Sequence, residues 1–289
     1  MKKTCLAIMS AILLVSSASA QNWYNTSPQQ TNLDAEDEES GVESTYYCVD
    51  QSDDCGPQKD GQGYNSGDSI SISTEGINYL RYFSEDKVGN DEDVSSRIFR
   101  LDLTDPETTT NYSGAWDNEP ITVELSCDDP ENPDASGCDK KYLCKGGSCS
   151  LNQGTSASFD NEGVTVLRYK SMDIAGNNED VQDQDVRLDF TKPNVSVGEK
   201  TYNGGRNATS TCKDELSGCN ESSLRLYVSL TSTPGLTCPN DPEEYDDGST
   251  YEVDRPLWVC AAAKDKAGNW AYSDEAVVVG GGEGYAISF

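Results

Sequence analysis

The sequence predicts an all-β protein of three tandem antiparallel β-sandwich modules, stapled by disulfides, with the first module incomplete. Three observations predict this class. A long stretch recurs at the spacing of a small domain, short segments alternate apolar and polar residues, and the cysteines form an even set once an N-terminal signal is set aside. Beyond the N-terminal signal, no window shows the apolar period of a helix.

The repeat defines the modules. Residues 75–106 read EGINYLRYFSEDKVGNDEDVSSRIFRLDLTDP, and residues 162–193 read EGVTVLRYKSMDIAGNNEDVQDQDVRLDFTKP. A diverged third copy spans residues 255–279. The matched Asn90, Asn177 and Asn269 lie 87 and 92 residues apart, the length of a small domain. We therefore expect modules at residues 21–104, 105–192 and 193–279, followed by a Gly-rich tail at 280–289.

The first 20 residues have the features of an export signal. Lys2 and Lys3 precede an apolar run at residues 6–15, and Ala18-Ser19-Ala20 is a small-residue cleavage site. The run is too short for a membrane anchor, and no second apolar run follows. We expect a secreted or extracellular protein associated with the cell surface, with no membrane insertion after the signal is removed.

The net charge of −30 excludes nucleic acid as a partner and makes anionic lipid an unsuitable one. Two interpretations of the acidic surface stay open at this point. The acids form a solvating surface suited to high salt, or they provide many weak cation sites.

The cysteines support export. Of 11 cysteines, Cys5 lies in the signal. The others form an even set that can pair fully in disulfides, as expected in an oxidising compartment. Aligning the repeats indicates how the cysteines pair. Cys127 and Cys138 of the second module match Cys212 and Cys219 of the third, and the first module lacks both counterparts, as expected for partners in one disulfide. A zinc site is disfavoured, since the chain has no His. The predicted disulfides are Cys48–Cys55, Cys127–Cys138, Cys144–Cys149, Cys212–Cys219 and Cys238–Cys260.

Within each module the alternation is that of strands. Phe99, Leu101 and Leu103 alternate with Arg100 and Asp102, which predicts one apolar and one charged face. Residues 21–39 are polar and acidic with little periodicity, so we expect a poorly ordered leader. The first module would then lack one or two opening strands.

The DxAGN element has two interpretations. As a turn, its Asp accepts backbone N–H groups, and Gly89, Gly176 and Gly268 adopt positive φ. As a calcium site, the loop gathers carboxylates. The third copy argues against calcium, because Trp270 and Ala271 replace acids there. The candidate calcium ligands are Asp86, Asp91, Asp173 and Asp180, and we expect no other cofactor.

The combination of SGC (residues 136–138), a short cysteine hairpin, the DxAGN loop and a closing RLDxTxP resembles a known family. It is similar to the immunoglobulin-like (Ig-like) repeats of bacterial and archaeal secreted and cell-surface proteins, including the OmpL47 type. The resemblance covers nearly all of the chain after the signal, less well in its first third. It implies an Ig-like sandwich that serves as spacer, adhesion or carbohydrate-contacting module, with no active site to carry over.

Catalysis finds little support in the residues. Without His, neither a Ser-His nor a Cys-His system nor an HExxH zinc site is available. The sequence has no GxSxG elbow, and the one Gly-rich run opens no helix. We predict a non-enzyme. Five sequons permit N-glycosylation, in loops or on exposed strand faces, at Asn25, Asn111, Asn194, Asn207 and Asn220.

The predicted function is an adhesion module or structural spacer, with a cell-surface protein or glycan as partner. Two alternatives stay open: a non-catalytic binding or accessory part of a secreted hydrolase, and a calcium-stiffened stalk.

Overall fold

The computed structural model describes residues 22–130, 134–202, 205–229, 237–274 and 276–280. The predicted signal (1–20) and residues 281–289 of the predicted tail lie outside the described residues. Over the described ranges, no helix has the length and apolar character needed to cross a membrane.

The first module contains two facing sheets. Its elements are β1 (Trp23–Tyr24), β2 (Gln29–Thr31), β3 (Val42–Asp50), α1 (Pro57–Asp60), β4 (Gln62–Tyr64), β5 (Ile70–Ile72), β6 (Gly76–Asp86) and β7 (Ser95–Leu101). One sheet has the order β1-β7-β6-β3-β4, and the other pairs β2 with β5. Inward side chains pack between the sheets, as strand alternation requires: Leu33, Ile70, Ile72, Leu80, Tyr82, Phe99 and Leu101.

The second module repeats this plan with one strand more. Its strands are β8 (Glu107–Thr110), β9 (Trp116–Asp117), β10 (Ile121–Asp128), β11 (Cys138–Lys145), β12 (Asn152–Gln153), β13 (Ser156–Phe159), β14 (Gly163–Asp173) and β15 (Gln182–Leu188). The sheets have the orders β13-β10-β8 and β12-β11-β14-β15-β9. Pairing is antiparallel except that β9, like β1, runs parallel to the last strand of its module.

The third module is the most diverged. Its strands are β16 (Asn194–Tyr202), β17 (Gly205–Lys213), β18 (Arg225–Ser229), β19 (Asp246–Asp247), β20 (Thr250–Val253), β21 (Leu257–Lys264), β22 (Trp270–Tyr272) and β23 (Val277–Val279). The sheets have the orders β16-β17-β20 and β19-β18-β21-β22, with β23 also paired to β21. β21 is buried on both faces: Val259 packs in the main core, whereas Cys260 and Ala262 pack against Tyr245.

The all-β prediction is confirmed: the chain is a series of β-sandwiches, and each sheet in the described residues takes its strands from one predicted module. The prediction of a poorly ordered leader at residues 21–39 is wrong for its first part. β1 and β2 form there because backbone pairing with β7 and β5 supplies the order that the polar side chains do not encode. Within the described ranges, the strand that the first module lacks relative to the second is a counterpart of β8.

Five disulfides close local loops. They join the same cysteines that the repeat alignment pairs, with Cα–Cα distances between 5.7 and 6.3 Å, within the usual range. Cys238–Cys260 has the longest loop, 22 residues, and fastens the segment before β19 over the outer face of β21.

Candidate functional site

The DxAGN loops are tight turns built on one carboxylate. In the second module, Asp173 Oδ1 accepts from the backbone N–H groups of Gly176 (2.6 Å) and Asn177 (2.8 Å). The Asn177 side-chain amide donates to Asp173 Oδ2 at 2.7 Å. Gly176 has φ of 100°, which explains the glycine, because a Cβ there would strain the backbone. The loop of the third module closes in the same way. In the first module, Val88 rather than Gly89 provides the second backbone N–H to Asp86 Oδ1.

This loop also reaches across to the preceding module. The Asn177 amide donates to the backbone carbonyl of Asp102, 2.8 Å away, just beyond the end of β7. The Asp102 carboxylate accepts from the backbone N–H of Ser136 at 2.7 Å. Ser136 belongs to the SGC motif, so three motifs that recur separately in the sequence meet at one boundary. We call this boundary, with Asp102, Ser136, Asp173 and Asn177, the first junction.

The second junction, between the second and third modules, repeats the geometry. The Asn269 amide donates to the Asp189 carbonyl at 2.8 Å, and the Asp189 carboxylate accepts from the Ser217 N–H at 3.0 Å. Asp265 closes the loop, as Asp173 does in the second module. Because Asp189 and Asp102 occupy the same repeat position, the two junctions are built by equivalent residues.

A smaller contact recurs at both junctions. A Cβ built on Gly176 would lie 3.3 Å from Asn25 Nδ2, in the loop after β1. A Cβ built on Gly268 would lie 3.7 Å from Asn118 Nδ2, directly after β9. The chain after each short parallel strand therefore packs on the DxAGN turn of the following module.

Carboxylates are concentrated at each junction. Asp102, Asp129 and Asp173 bring one oxygen each to within 4.8 Å of the others at the first junction. Asp102 and Asp173 have no exposed surface. Burial, with a contribution from the Asp102 charge, raises the pKa of Asp173. We call these three residues the first carboxylate cluster.

The second carboxylate cluster is Asp189, Asp214 and Asp265, again with oxygens within 4.8 Å of one another. Asp189 and Asp265 are buried, and Asp214 is half-buried. Three oxygen ligands at such distances match the hard-ligand chemistry that Ca²⁺ prefers, although a full shell needs 6–8 oxygens.

In the first module, the same loop makes no cross-junction hydrogen bond among the described residues. Asp86 accepts from the N–H groups of Val88 and Asn90 and from the Asn90 amide. The Asn90 N–H and amide are the main cause that lowers the pKa of Asp86 to about 2. The same loop aspartate thus has opposite pKa shifts, because Asp173 lies deeper beside a second buried acid and Asp86 does not.

The predicted calcium ligands are not brought together. Of the four, Asp173 alone belongs to a carboxylate cluster within the described ranges. Asp91 and Asp180 are exposed, and Asp86 is used by its own turn. Sequence reasoning missed Asp102, Asp129, Asp189, Asp214 and Asp265. A signal was present, since Asp129 and Asp214 each stand two residues after a matched cysteine.

Asp102 also corrects the strand interpretation. Alternation placed it on the charged face with Arg100, but its exposure is 0 %. β7 ends at Leu101, and the Asp102 backbone N–H then donates to the carbonyl of Tyr24 at 2.9 Å. The alternation therefore stops at Leu101, two residues before the Leu103 that the sequence pattern includes.

The five sequons differ in accessibility. Asn25, Asn111 and Asn194 are exposed, whereas Asn207 and Asn220 are half-buried. The Asn220 side chain already accepts from the Ser222 N–H at the start of a 3₁₀ turn.

No family model matches the chain, and no curated protein matches it. Among solved structures, it is similar to a set of titin domains, with 13 % identity, TM-score 0.36, and coverage of 90 % of this chain and 95 % of that one. An ICAM-5 ectodomain fragment has 14 % identity, TM-score 0.33 and coverage of 94 % and 75 %. A bacterial ice-binding adhesin has 12 % identity, TM-score 0.31 and coverage of 84 % and 86 %. Likeness at this level does not extend to function.

Proposed function

We propose that the chain is a non-enzymatic spacer or adhesion module, secreted and displayed at a cell surface, whose Ig-like modules are joined by fixed junctions. The observation that carries the proposal is the equivalence of the two junctions. At both, an Asn amide and a Ser backbone N–H of one module bind the Asp that ends the preceding module.

The two junctions restrict rotation between neighbouring modules. A flexible linker leaves neighbouring modules free to reorient, whereas each junction holds one Asp by its carbonyl and its carboxylate. A bond to a charged group contributes about 1.5–3 kcal/mol and a neutral one about 0.5–1.5 kcal/mol. Together the two bonds at a junction favour one orientation of the neighbouring modules by about 2–4 kcal/mol, so most molecules have both bonds formed. Such joints suit a protein that holds a binding face at a distance.

Small-angle X-ray scattering tests the fixed junctions. We expect the intact protein to give one narrow distance distribution. Asn177→Ala combined with Asn269→Ala should broaden it, because both cross-junction amides are lost. Asn90→Ala removes the same loop bond at a position with no cross-junction bond among the described residues. It is the matched control and should leave the distance distribution unchanged. A double variant with unaltered scattering would refute fixed junctions.

Adhesion is tested separately, by binding of the intact protein to cells and to a glycan array. Specific, saturable binding supports the adhesion role with a cell-surface protein or glycan as partner. Absence of binding together with a narrow scattering distribution leaves the spacer role alone.

Calcium stiffening of the junctions is the second candidate function, and the two carboxylate clusters favour it. Each cluster places two buried acids and a half-buried one at equivalent positions of a junction. A divalent cation there would offset the repulsion between buried carboxylates.

Calorimetric titration with Ca²⁺ and melting at millimolar Ca²⁺ test this candidate. We expect two sites and a raised Tm, with Asp102→Asn removing one site. Asp180→Asn, an exposed acid of the same loop region outside the clusters, is the control and should keep both sites. An unchanged Tm at millimolar Ca²⁺ would eliminate the candidate.

A further inference from the structure

Among the described residues, the first module has an unpaired sheet edge at a position that a strand occupies in each of the other two modules. In the second module, β8 pairs antiparallel with β10, and in the third β16 pairs with β17. In the first module the corresponding sheet contains β2 and β5 only, among the described residues. The strand pair β2·β5 of the first module can be aligned with the pair β10·β13 of the second by their registers. Residues 33–36 then take the positions of Leu125–Asp128, the residues that pair with β8.

β8 shows what belongs at this edge. Its central residue, Thr108, is 2 % exposed and lies opposite Cys127. The Thr108 N–H donates to Glu179 Oε2 at 3.1 Å, and its hydroxyl donates to the other Glu179 oxygen. The same hydroxyl is 2.5 Å from Ser171 Oγ. One inward Thr thus completes the hydrogen bonding of a buried Glu.

The first module has counterparts of the residues that contact Thr108 in the second module, but among the described residues it has no strand equivalent to β8. Glu92 and Ser84 correspond to Glu179 and Ser171, and Ala35 corresponds to Cys127. A cavity of about 30 Å³ lies where Thr108 sits in the second module, lined by Leu33, Ala35, Thr45, Tyr82, Ser84 and Glu92. That volume exceeds the roughly 10–15 Å³ that one water molecule needs, so a hydroxyl group can be accommodated there. Glu92 is half-buried, and burial raises its pKa although Ser84 donates to it.

The burial of residues 33–36 alternates as it does in a strand. Leu33 is buried and Ala35 half-buried, while Asp34 and Glu36 are exposed, so inward and outward side chains alternate as in a strand. An added strand would therefore find its backbone partner in place, with little ordering cost.

Charge specifies the added strand. By the β8 register, its two outward residues would face Asp34 and Glu36, on either side of the inward residue opposite Ala35. Opposite charges directly across a strand pair stabilise it and like charges destabilise it. Those outward residues should be Lys or Arg. A second copy of the same segment is disfavoured, because it would bring carboxylates against carboxylates.

We propose that residues 33–36 form a strand-addition site for an extended segment of a partner protein that carries Thr or Ser between two Lys or Arg. The inward hydroxyl and its backbone N–H donate to Glu92, and the flanking cations pair with Asp34 and Glu36. Antiparallel backbone bonds complete the three-stranded sheet that the other modules build from their own chain.

The chain's own N-terminal residues are the competing occupant. β8 begins nine residues before β9, and nine residues before β1 is position 14, inside the predicted signal. Export with cleavage would remove that segment and leave the edge free.

The test uses the protein beginning at residue 21 and a fluorescent peptide, PKTKTN, which follows the β8 sequence with Lys at the outward positions. The control peptide PTKTKN has the same composition, but places Lys inward. At 150 mM NaCl we expect PKTKTN to bind at least 10-fold tighter, and to slow deuterium uptake of amides 33–36. Equal binding of both peptides would overturn the proposal, because the acidic surface would then attract any cationic peptide. Unchanged deuterium uptake at amides 33–36 would overturn it as well, because the peptide would then bind elsewhere.

Variants locate the site. Glu92→Gln should weaken PKTKTN at least 5-fold, whereas Asp91→Asn, an exposed neighbour that removes the same charge, should change binding less than 2-fold. Equal effects of the two variants count against the assignment. The same exchange measurement is made without peptide on the protein that retains residues 1–20. If amides 33–36 are protected there and lose this protection when residues 1–20 are removed, the chain supplies its own strand. That result would overturn the proposal of a partner protein.

Discussion

Asn177→Ala separates the junction from the loop that carries it. The Asn177 amide donates within its loop to Asp173 Oδ2, at 2.7 Å, and across the junction to the Asp102 carbonyl, at 2.8 Å. In the first module, Asn90 makes the equivalent loop bond to Asp86 Oδ2 at 2.7 Å. Asn90 has no cross-junction bond in the described part of the chain, so Asn90→Ala is the matched control.

The magnitude follows from the bonds lost. Both variants lose the loop bond to a carboxylate, worth about 1.5–3 kcal/mol, and Asn177→Ala loses in addition a long contact of 3.5 Å with Asp102 Oδ1. Asn177→Ala also loses a neutral bond of about 1 kcal/mol and leaves a buried carbonyl with one partner fewer. We therefore expect Asn177→Ala to lower the free energy of unfolding of its module by about 1–2 kcal/mol more than Asn90→Ala does, a factor of about 5–30 in the opening equilibrium.

Native-state hydrogen exchange is the suitable assay, because a chain of several modules does not unfold in two states. The amides of β14 and β15 report on Asn177→Ala, and those of β6 and β7 report on Asn90→Ala. Asn269→Ala should repeat the larger effect in the third module. Equal losses for all three variants would refute the reasoning, since the Asn would then serve its own turn alone.

Three further predictions concern the loops and the disulfides. Gly176→Ala should destabilise the second module by about 1–2 kcal/mol, because Ala is strained at φ of 100°; exchange in β14 measures the loss, and an unchanged rate contradicts it. Replacing Cys238 and Cys260 by Ala should cost about 3 kcal/mol, seen as a lower Tm, since the loop of 22 residues is freed in the unfolded state; no change in Tm would show that the segment is held by packing alone. For pH, Asp86 has a lowered pKa of about 2, so its stabilisation is present above about pH 4 and disappears as pH falls from about 4 to 2. Asp173 has a raised pKa, so its ionised form lowers the stability of the native state at neutral pH. This loss of stability is relieved as pH falls through the raised pKa towards about 4, because the native state binds a proton there before the unfolded state does. Carboxyl titration by NMR should order the two midpoints accordingly, and the reverse order would refute the burial argument.

Features that depend on a short stretch of chain were predictable. The Asp-Gly-Asn turn closes within five residues, so its hydrogen bonds and the positive φ of Gly89, Gly176 and Gly268 follow from local chemistry. The disulfides close loops of 5–22 residues, and the repeat alignment predicts each pair, because partner cysteines occur or are missing together. Alternation identified the buried side chains Leu101 and Leu188.

Features that depend on a neighbouring module were not predictable. Asp102 has the spacing of a solvent-facing strand residue, yet the following module buries it completely. The calcium prediction chose acids that are close in sequence, whereas Asp102, Asp129 and Asp173 come from three separate segments. β1 and β2 were missed because their order comes from β7 and β5.

The sequence by itself determined the strand character of the chain, its turns and the pairing of its cysteines, since each follows from a local or periodic pattern. The bounds of the modules stay a prediction from the repeat spacing. Tertiary structure alone decided how the motifs serve one another. Asp102 and Asn177 are 75 residues apart, and their contact depends on how one folded module is placed against the next. That placement results from packing between finished surfaces, which no periodicity within a module encodes. The open edge at residues 33–36 was hidden for the same reason: a missing strand becomes visible only beside modules that have it.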